Sequence, residues 1–179
     1  MSQYSDRILQ DNPVYYFKID NGTVNSAGSV TPTTTVGVNN AFKASGGIED
    51  SGCLYSTSYS NTGYGFSHTV PTAIFSDKIF TVSAWIKFAD GDADSNMQWI
   101  FRSGTNATGI FIQKTDHFYL GTLINGANQL TSSTYLTYDT WYHVSWVGDG
   151  TDQYLYLNGV QVATGSLPST ITGNDTTFN

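Results

Sequence analysis

The chain has 179 residues, a formal net charge of −7, 12% charged residues and 15% aromatic residues. One domain over residues 1–179 is the default at this length, which is sufficient to bury a substantial core. The 7 Lys and Arg residues are scattered singly, which excludes a basic footprint for nucleic acid or anionic membranes. No apolar run is long enough to insert into a membrane. Few charges and many Tyr and Gly residues favour strands and tight turns over helices.

Residues 1–13 are predicted to form an N-terminal arm or one helical turn, which ends before Pro13 because proline disfavours helix in the preceding residue. This N-terminal segment lacks the apolar region that a secretory signal peptide contains. Cys53 is the only cysteine, so an intrachain disulfide is excluded. We therefore expect a chain that is made in a cytoplasm and does not leave it by the general secretory route.

A strand is predicted at Val14–Ile19. The segment from Tyr4 to Asp20, which ends in Tyr16-Phe17-Lys18-Ile19-Asp20, resembles the opening of jelly-roll modules in bacteriophage tail and other virion proteins. The resemblance implies a virion protein that is assembled in the host cytoplasm. Its partners would be other virion subunits or copies of itself.

Residues 21–40 are predicted as a loop with one edge strand near Thr33–Val36, and Pro71–Lys78 as a surface turn. Short strands separated by turn signals follow, which is the pattern of a sandwich or barrel. They are predicted at Gly52–Tyr59, Tyr64–Thr69, Phe80–Phe88, Gln98–Ser103, Gly109–Lys114, His117–Leu123, Trp141–Val147, Tyr154–Leu157 and Val160–Thr164.

Two motifs carry a second resemblance. Trp141–Val147 is followed by Asp149-Gly150, which marks a turn. Tyr154–Leu157 is followed by Asn158-Gly159, and this dipeptide between two apolar runs is the strongest short-range signal for a hairpin. Together with Phe80–Lys87 they resemble the signature strands of the laminin-G-like, concanavalin-A-like jelly-roll family. The resemblance implies an all-β, two-sheet antiparallel jelly-roll sandwich. Lectins, glycosidases and adhesion modules all use this fold, so it does not specify a function.

The strands show apolar side chains at alternate positions, and a period of two places these on the face that packs between the sheets. In Phe80–Phe88, for example, the apolar positions alternate with Thr81, Ser83, Trp85 and Lys87. The predicted core contains Phe80, Val82, Ala84, Ile86, Trp99, Phe101, Leu155 and Leu157.

The opposite positions combine aromatic rings with planar hydrogen-bonding groups. Sugar rings stack their C–H faces on aromatic side chains while their hydroxyl groups take polar partners. The alternative is ordinary cross-strand pairing, for which antiparallel sheets use the same residue types. The carbohydrate platform that the sequence predicts consists of Trp85, Lys87, Arg102, Gln113, Tyr119 and Tyr156.

Asp90, Asp92 and Asp94 place carboxylates at alternate positions, as calcium-binding loops do. Ser95 and Phe101 stand where an EF-hand requires Gly and Glu, so this is not an EF-hand. We favour a solvated acidic loop between strands and no cofactor. A Ca²⁺ site at the rim of the sandwich is the alternative.

Catalysis is poorly supported, and we predict that the chain is not an enzyme. A glycosidase requires two neighbouring carboxyl groups, but the only Glu, Glu49, falls in a predicted loop. His68, His117 and His143 lie far apart in sequence, without the spacing of metal ligands.

The C-terminal end departs from the family pattern, whose modules continue into further strands that close the sandwich. Here the sequence ends at residues 171–179, where those strands would begin. We expect either a truncated piece of a longer protein or an edge that another chain covers, because an open edge strand promotes aggregation.

These observations favour a non-enzymatic module of a phage-like virion, in a tail fibre, spike or head decoration, that binds host-surface glycans. The alternative is a purely structural virion protein that joins subunits. A glycoside hydrolase is a distant third hypothesis.

Overall fold

A computed structural model describes residues 10, 16–20, 23–27, 40–43, 47, 53–56, 68–69, 75–88, 97–103, 107–172 and 177–178. Gln10 is helical, in the segment for which a helical turn is predicted, and the other described elements are strands. The chain divides into two compact units, residues 1–70 with residue 179, and residues 71–178. The single domain over 1–179 stays a prediction.

The first unit contains two antiparallel hairpins. In one, β1 (Tyr16–Asp20) pairs with β2 (Thr23–Ala27), and in the other β3 (Asn40–Lys43) pairs with β4 (Cys53–Ser56). The fifth strand is β5 (His68–Thr69). The prediction of a loop over 21–40 is therefore wrong at β2 and at the start of β3. The edge strand predicted near residues 33–36 lies outside the described residues.

The second unit contains two antiparallel sheets. Sheet I has the strand order β10-β9-β8-β7-β14, and sheet II has the order β13-β12-β11-β6. The strands of sheet I are β7 (Gln98–Ser103), β8 (Thr108–Lys114), β9 (Phe118–Ile124), β10 (Ala127–Leu136) and β14 (Thr177–Phe178). The strands of sheet II are β6 (Ile79–Ile86), β11 (Tyr142–Asp149), β12 (Asp152–Leu157) and β13 (Val160–Ser166). The all-β, two-sheet antiparallel jelly-roll sandwich is confirmed.

Large apolar side chains from both sheets form one core. Trp146, Val144 and Leu155 of sheet II and Leu120 of sheet I are each 0% exposed. Of the predicted core, Phe80, Leu155 and Leu157 are buried, whereas Val82, Ala84, Ile86 and Phe101 are half-buried against the same cluster.

Trp99 is the predicted core residue that lies elsewhere. It pairs with Phe111 of β8, whereas Phe101 pairs with Ile110, so Ile100 is an extra residue in β7. Such a β-bulge interrupts the alternation of side chains along a strand. Trp99 therefore packs edge-on against Phe111, with ring centroids 5.6 Å apart, on the side of β8 opposite to Ile110.

Two further differences concern Phe75 and strand β10. Phe75, within the predicted surface turn, is 0% exposed and packs edge-to-face on Phe80 at 4.7 Å between ring centroids. Strand β10 was not predicted. It follows a turn at Asn125 and Gly126, whose φ angles are 56° and 76°, the conformation that Asn-Gly favours in tight hairpins.

Candidate functional site

The structure divides the predicted carbohydrate platform between the two sheets. Trp85 lies on β6 and Tyr156 on β12, in sheet II, and Lys87 directly follows β6. The other three predicted residues, Arg102, Gln113 and Tyr119, lie on β7, β8 and β9 of sheet I. Since the outward faces of a sandwich point away from each other, the prediction of one shared platform is wrong. A binding role for either half stays a prediction.

The two outward faces differ in their exposure. Each outward side chain of sheet II, between Ile79 and Ser166, is exposed or half-buried. On the outward face of sheet I, Phe111 is 1% exposed and Leu123 is 6% exposed. Phe111 lies over Gly121, where a Cβ atom would come within 2.5 Å of the ring. Sheet II therefore presents the broader accessible surface.

Aromatic rings surround small side chains on this surface. Trp85 pairs with His143 across β6 and β11, and their ring centroids are 5.2 Å apart. In the next row, Ser83 pairs with Ser145, and Ser145 pairs with Tyr156. Neighbouring strands of a sheet are ~4.8 Å apart. Since Trp85 and Tyr156 lie two strands apart, ~10 Å separates their strands across the sheet. We name Trp85, His143, Ser145 and Tyr156 the aromatic face.

The Asn158-Gly159 turn holds one part of the aromatic face in position. The backbone N–H of His143 donates to Oδ1 of Asn158 at 2.9 Å, and the backbone N–H of Asn158 donates to the carbonyl of His143 at 2.8 Å. Asn158 has a φ of 49°, which Asn tolerates better than most residues. Hydrogen bonds therefore join the two sequence motifs. These bonds fix the beginning of β11 beside Trp85.

Tyr154, next to the aromatic face, is anchored by Asp149. The carboxylate of Asp149 accepts from the backbone N–H groups of Thr151 and Asp152, at 2.9 and 2.7 Å, and from the hydroxyl of Tyr154 at 2.9 Å. The backbone hydrogen bonds and the tyrosine hydroxyl lower the pKa of Asp149, and the same carboxylate raises the pKa of Tyr154. Asp149 is thus ionised and fully engaged at neutral pH.

The aromatic face itself is uncharged at neutral pH. Partial burial lowers the pKa of His143, because desolvation disfavours the protonated imidazole. Lys87 lies beyond one end of the face, with its Nζ 5.6 Å from the centroid of the Trp141 ring. The acidic Asp149 and Asp152 lie at the opposite end of the sheet. The arrangement suits a ligand without net charge.

The sequence-predicted residues of sheet I make local contacts. The guanidinium of Arg102 lies 5.5 Å from the Trp99 ring centroid. Its Nε is buried and has no hydrogen-bond partner in the described part of the chain. Tyr119 donates its hydroxyl proton to Oε1 of Gln113 at 2.6 Å. Sequence reasoning did not assign Ser145 or His143 to this face, although the Asp149-Gly150 turn between β11 and β12 sets the register that places Ser145 opposite Tyr156.

The proposed calcium ligands Asp90, Asp92 and Asp94 lie outside the described residues. Within the ranges that are described, no group of His, Cys, Asp and Glu side chains is arranged to hold a metal ion. In the same ranges, no helix has the length and hydropathy needed to cross a membrane.

Comparison with known proteins places this architecture in a family. No curated protein matches the sequence. The structure is similar to domain 4 of AbnA, a GH43 extracellular arabinanase from Geobacillus stearothermophilus, solved in complex with arabinotriose. The TM-score is 0.51 at 17% sequence identity, over 83% of this chain and 70% of that one. The laminin G-type family model of the Concanavalin A-like lectin/glucanases superfamily matches residues 61–179. The chain therefore belongs to the concanavalin A-like lectin/glucanases superfamily.

Proposed function

We propose that this chain binds a neutral glycan through the aromatic face of sheet II and does not cleave it. The observation that carries the proposal is the open surface on which the Trp85–His143 ring pair and Tyr156 flank Ser145. Aromatic rings offer stacking surfaces for the C–H faces of sugars, and the serine and tyrosine hydroxyls offer donors and acceptors.

The charge distribution supports an uncharged ligand. The chain carries a net charge of −7, which repels glycans rich in carboxylate or sulfate groups. With His143 neutral, the aromatic face supplies no cation of its own to offset this repulsion. The arabinotriose in the similar arabinanase domain is a neutral oligosaccharide, which is consistent with this ligand class.

Binding without hydrolysis fits the environment of Asp149, a carboxylate of the same sheet. A glycosidase needs a protonated carboxyl group that donates to the leaving oxygen and a second carboxylate close by. Asp149 accepts three hydrogen bonds that stabilise its ionised form, so it is a poor general acid.

We also propose that the module belongs to a phage-like virion, in a tail fibre, spike or head decoration, where it contacts host-surface glycans. The proposal is supported by the opening segment around Tyr16–Ile19, which resembles virion jelly-roll modules. A single open face binds weakly, and many copies on one particle would compensate through high effective concentration.

A structural role in the particle is the second candidate. Ile79 and Val160 are 64% and 65% exposed, and they lie on β6 and β13, the two outermost strands of sheet II. Contact with neighbouring subunits would bury these apolar side chains. In that case the aromatic face would be buried in the assembled particle.

A microarray of neutral oligosaccharides, with arabinotriose among them, tests the binding proposal. We expect Trp85→Ala and Tyr156→Ala to weaken binding about fivefold or more, the equivalent of ~1 kcal/mol. Tyr138→Ala is the matched control, because Tyr138 is 48% exposed and lies outside sheet II, in the turn after β10. An array on which the isolated chain and the whole particle both remain silent would favour the structural role.

A further inference from the structure

We infer that sheet I carries a second glycan-binding site, so that one copy of the chain binds two sugar segments at once. The site consists of His117, Tyr119 and Tyr135, which we name the second patch. The inference rests on the proposed glycan binding, but it concerns different residues on the opposite side of the sandwich.

The second patch contains an exposed pair of stacked rings. The rings of His117 and Tyr135 have centroids 4.4 Å apart and planes inclined by 18°. Tyr135 is nevertheless 61% exposed, and His117 is exposed as well. Tyrosine is intermediate in its average burial in folded proteins. Here most of the Tyr135 surface stays accessible to a ligand.

Polar groups lie beside these rings. Tyr119 pairs with Tyr135 across β9 and β10, and with Gln113 across β8 and β9. The hydroxyl of Tyr119 is oriented by its 2.6 Å hydrogen bond to Gln113. One residue of each sign lies beside the patch, Lys114 at the end of β8 and Asp116 in the turn that follows, so the patch has no dominant charge. Stacking rings with an oriented hydroxyl nearby match the chemistry of a neutral sugar, as on the aromatic face.

A β-bulge in β10 brings Tyr135 to this place. Thr131 pairs with Gly121 and Tyr135 with Tyr119, so β10 advances four residues where β9 advances two. The bulge is held by Ser132, which is 5% exposed, accepts from the backbone N–H of Leu120 at 3.1 Å and donates to the carbonyl of Thr134 at 2.8 Å. Bulges are frequent next to functional sites, where they redirect a side chain.

The experiment uses the full chain and the neutral-oligosaccharide array with four proteins: wild type, Trp85→Ala, Tyr135→Ala and the double variant. We expect each single variant to keep part of the binding and to lose about fivefold or more on the glycans that its own site serves. The double variant is expected to lose about fivefold or more on both sets of glycans. Tyr138→Ala is again the control, and circular dichroism checks that each variant is folded.

The outcomes separate the two proposals. If Trp85→Ala weakens the binding of every glycan and Tyr135→Ala binds like the wild type, the second patch is not a site and the aromatic face stands. If the double variant binds like the wild type, neither surface is a site, because the sugars then bind elsewhere. A silent wild type overturns the proposed function and the second patch with it. Weakened binding of a different set of glycans in each single variant, and of both sets in the double variant, establishes two sites.

Discussion

Trp146 donates a 3.0 Å hydrogen bond from its indole Nε1 to Oε1 of Gln153 inside the apolar core, where the two side chains are 0% and 1% exposed. The same oxygen lies 3.5 Å from the hydroxyl of Thr122, on the facing sheet. The amide nitrogen of Gln153 donates to the carbonyl of Ser166 at 3.4 Å. One buried amide therefore satisfies polar groups of both sheets.

Replacing Gln153 with Leu is expected to destabilise the fold by ~1–3 kcal/mol, because the indole N–H of Trp146 then loses its partner in the core. Urea unfolding monitored by tryptophan fluorescence measures the loss. Gln161→Leu is the control, since Gln161 is an exposed residue of β13. Equal stability of the two variants would show that the network contributes nothing.

Leu155→Ala is expected to cost ~2–5 kcal/mol, because a side chain that is 0% exposed leaves a cavity in a close-packed core. The same unfolding experiment applies. Val160→Ala, at a site that is 65% exposed, should stay within ~0.5 kcal/mol of the wild type. A small loss at Leu155 would contradict its place in the core.

Asn158 is expected to stabilise the hairpin in two ways, through its hydrogen bond to His143 and through its tolerance of positive φ. Asn158→Ala loses both and should destabilise by ~1–3 kcal/mol. Asn158→Gly loses only the hydrogen bond and should be less harmful. Thermal unfolding of both variants tests this order, and a more stable Ala variant would refute it.

The pKa of His143 is lowered in the folded state, so the unfolded chain binds more protons once the pH falls to the ordinary histidine range. Stability from this group is therefore present above a pH of about 6.5 and declines as the pH falls below that value. We expect the melting temperature to drop less between pH 7.5 and pH 5.5 in His143→Gln than in the wild type. An identical drop in the two proteins would exclude His143 as the cause.

Calcium addition tests the loop that contains Asp90, Asp92 and Asp94. Under the solvated-loop interpretation, millimolar Ca²⁺ leaves the melting temperature unchanged, because a ligand stabilises only a fold that it binds. A rise that chelator reverses and that Asp92→Ala abolishes would establish the metal site. Asp116→Ala, which alters an exposed aspartate in the turn between β8 and β9, is the control.

Several features of this protein follow from local sequence. The alternation in Phe80–Phe88 separates an inward apolar set from an outward set with Trp85, because successive side chains of a strand point to opposite faces. The Asn158-Gly159 turn determines the pairing of β12 with β13, since this dipeptide favours the positive φ angles of a two-residue hairpin. The same dipeptide at Asn125-Gly126 is a sequence signal for β10 that the polar character of that strand obscured.

Only the tertiary structure decided which outward residues share a surface. The alternation with a period of two predicts that Trp85, Arg102 and Tyr119 all point outward. It does not predict which sheet each strand joins. That choice depends on pairings between distant segments, such as β6 with β11, and it placed Trp85 beside His143 and away from Arg102. The bulges at Ile100 and before Tyr135 likewise result from fitting a strand to its neighbours. The single extra residue at Ile100 changes which side chains face the core, and neither bulge leaves a periodic signal in the sequence.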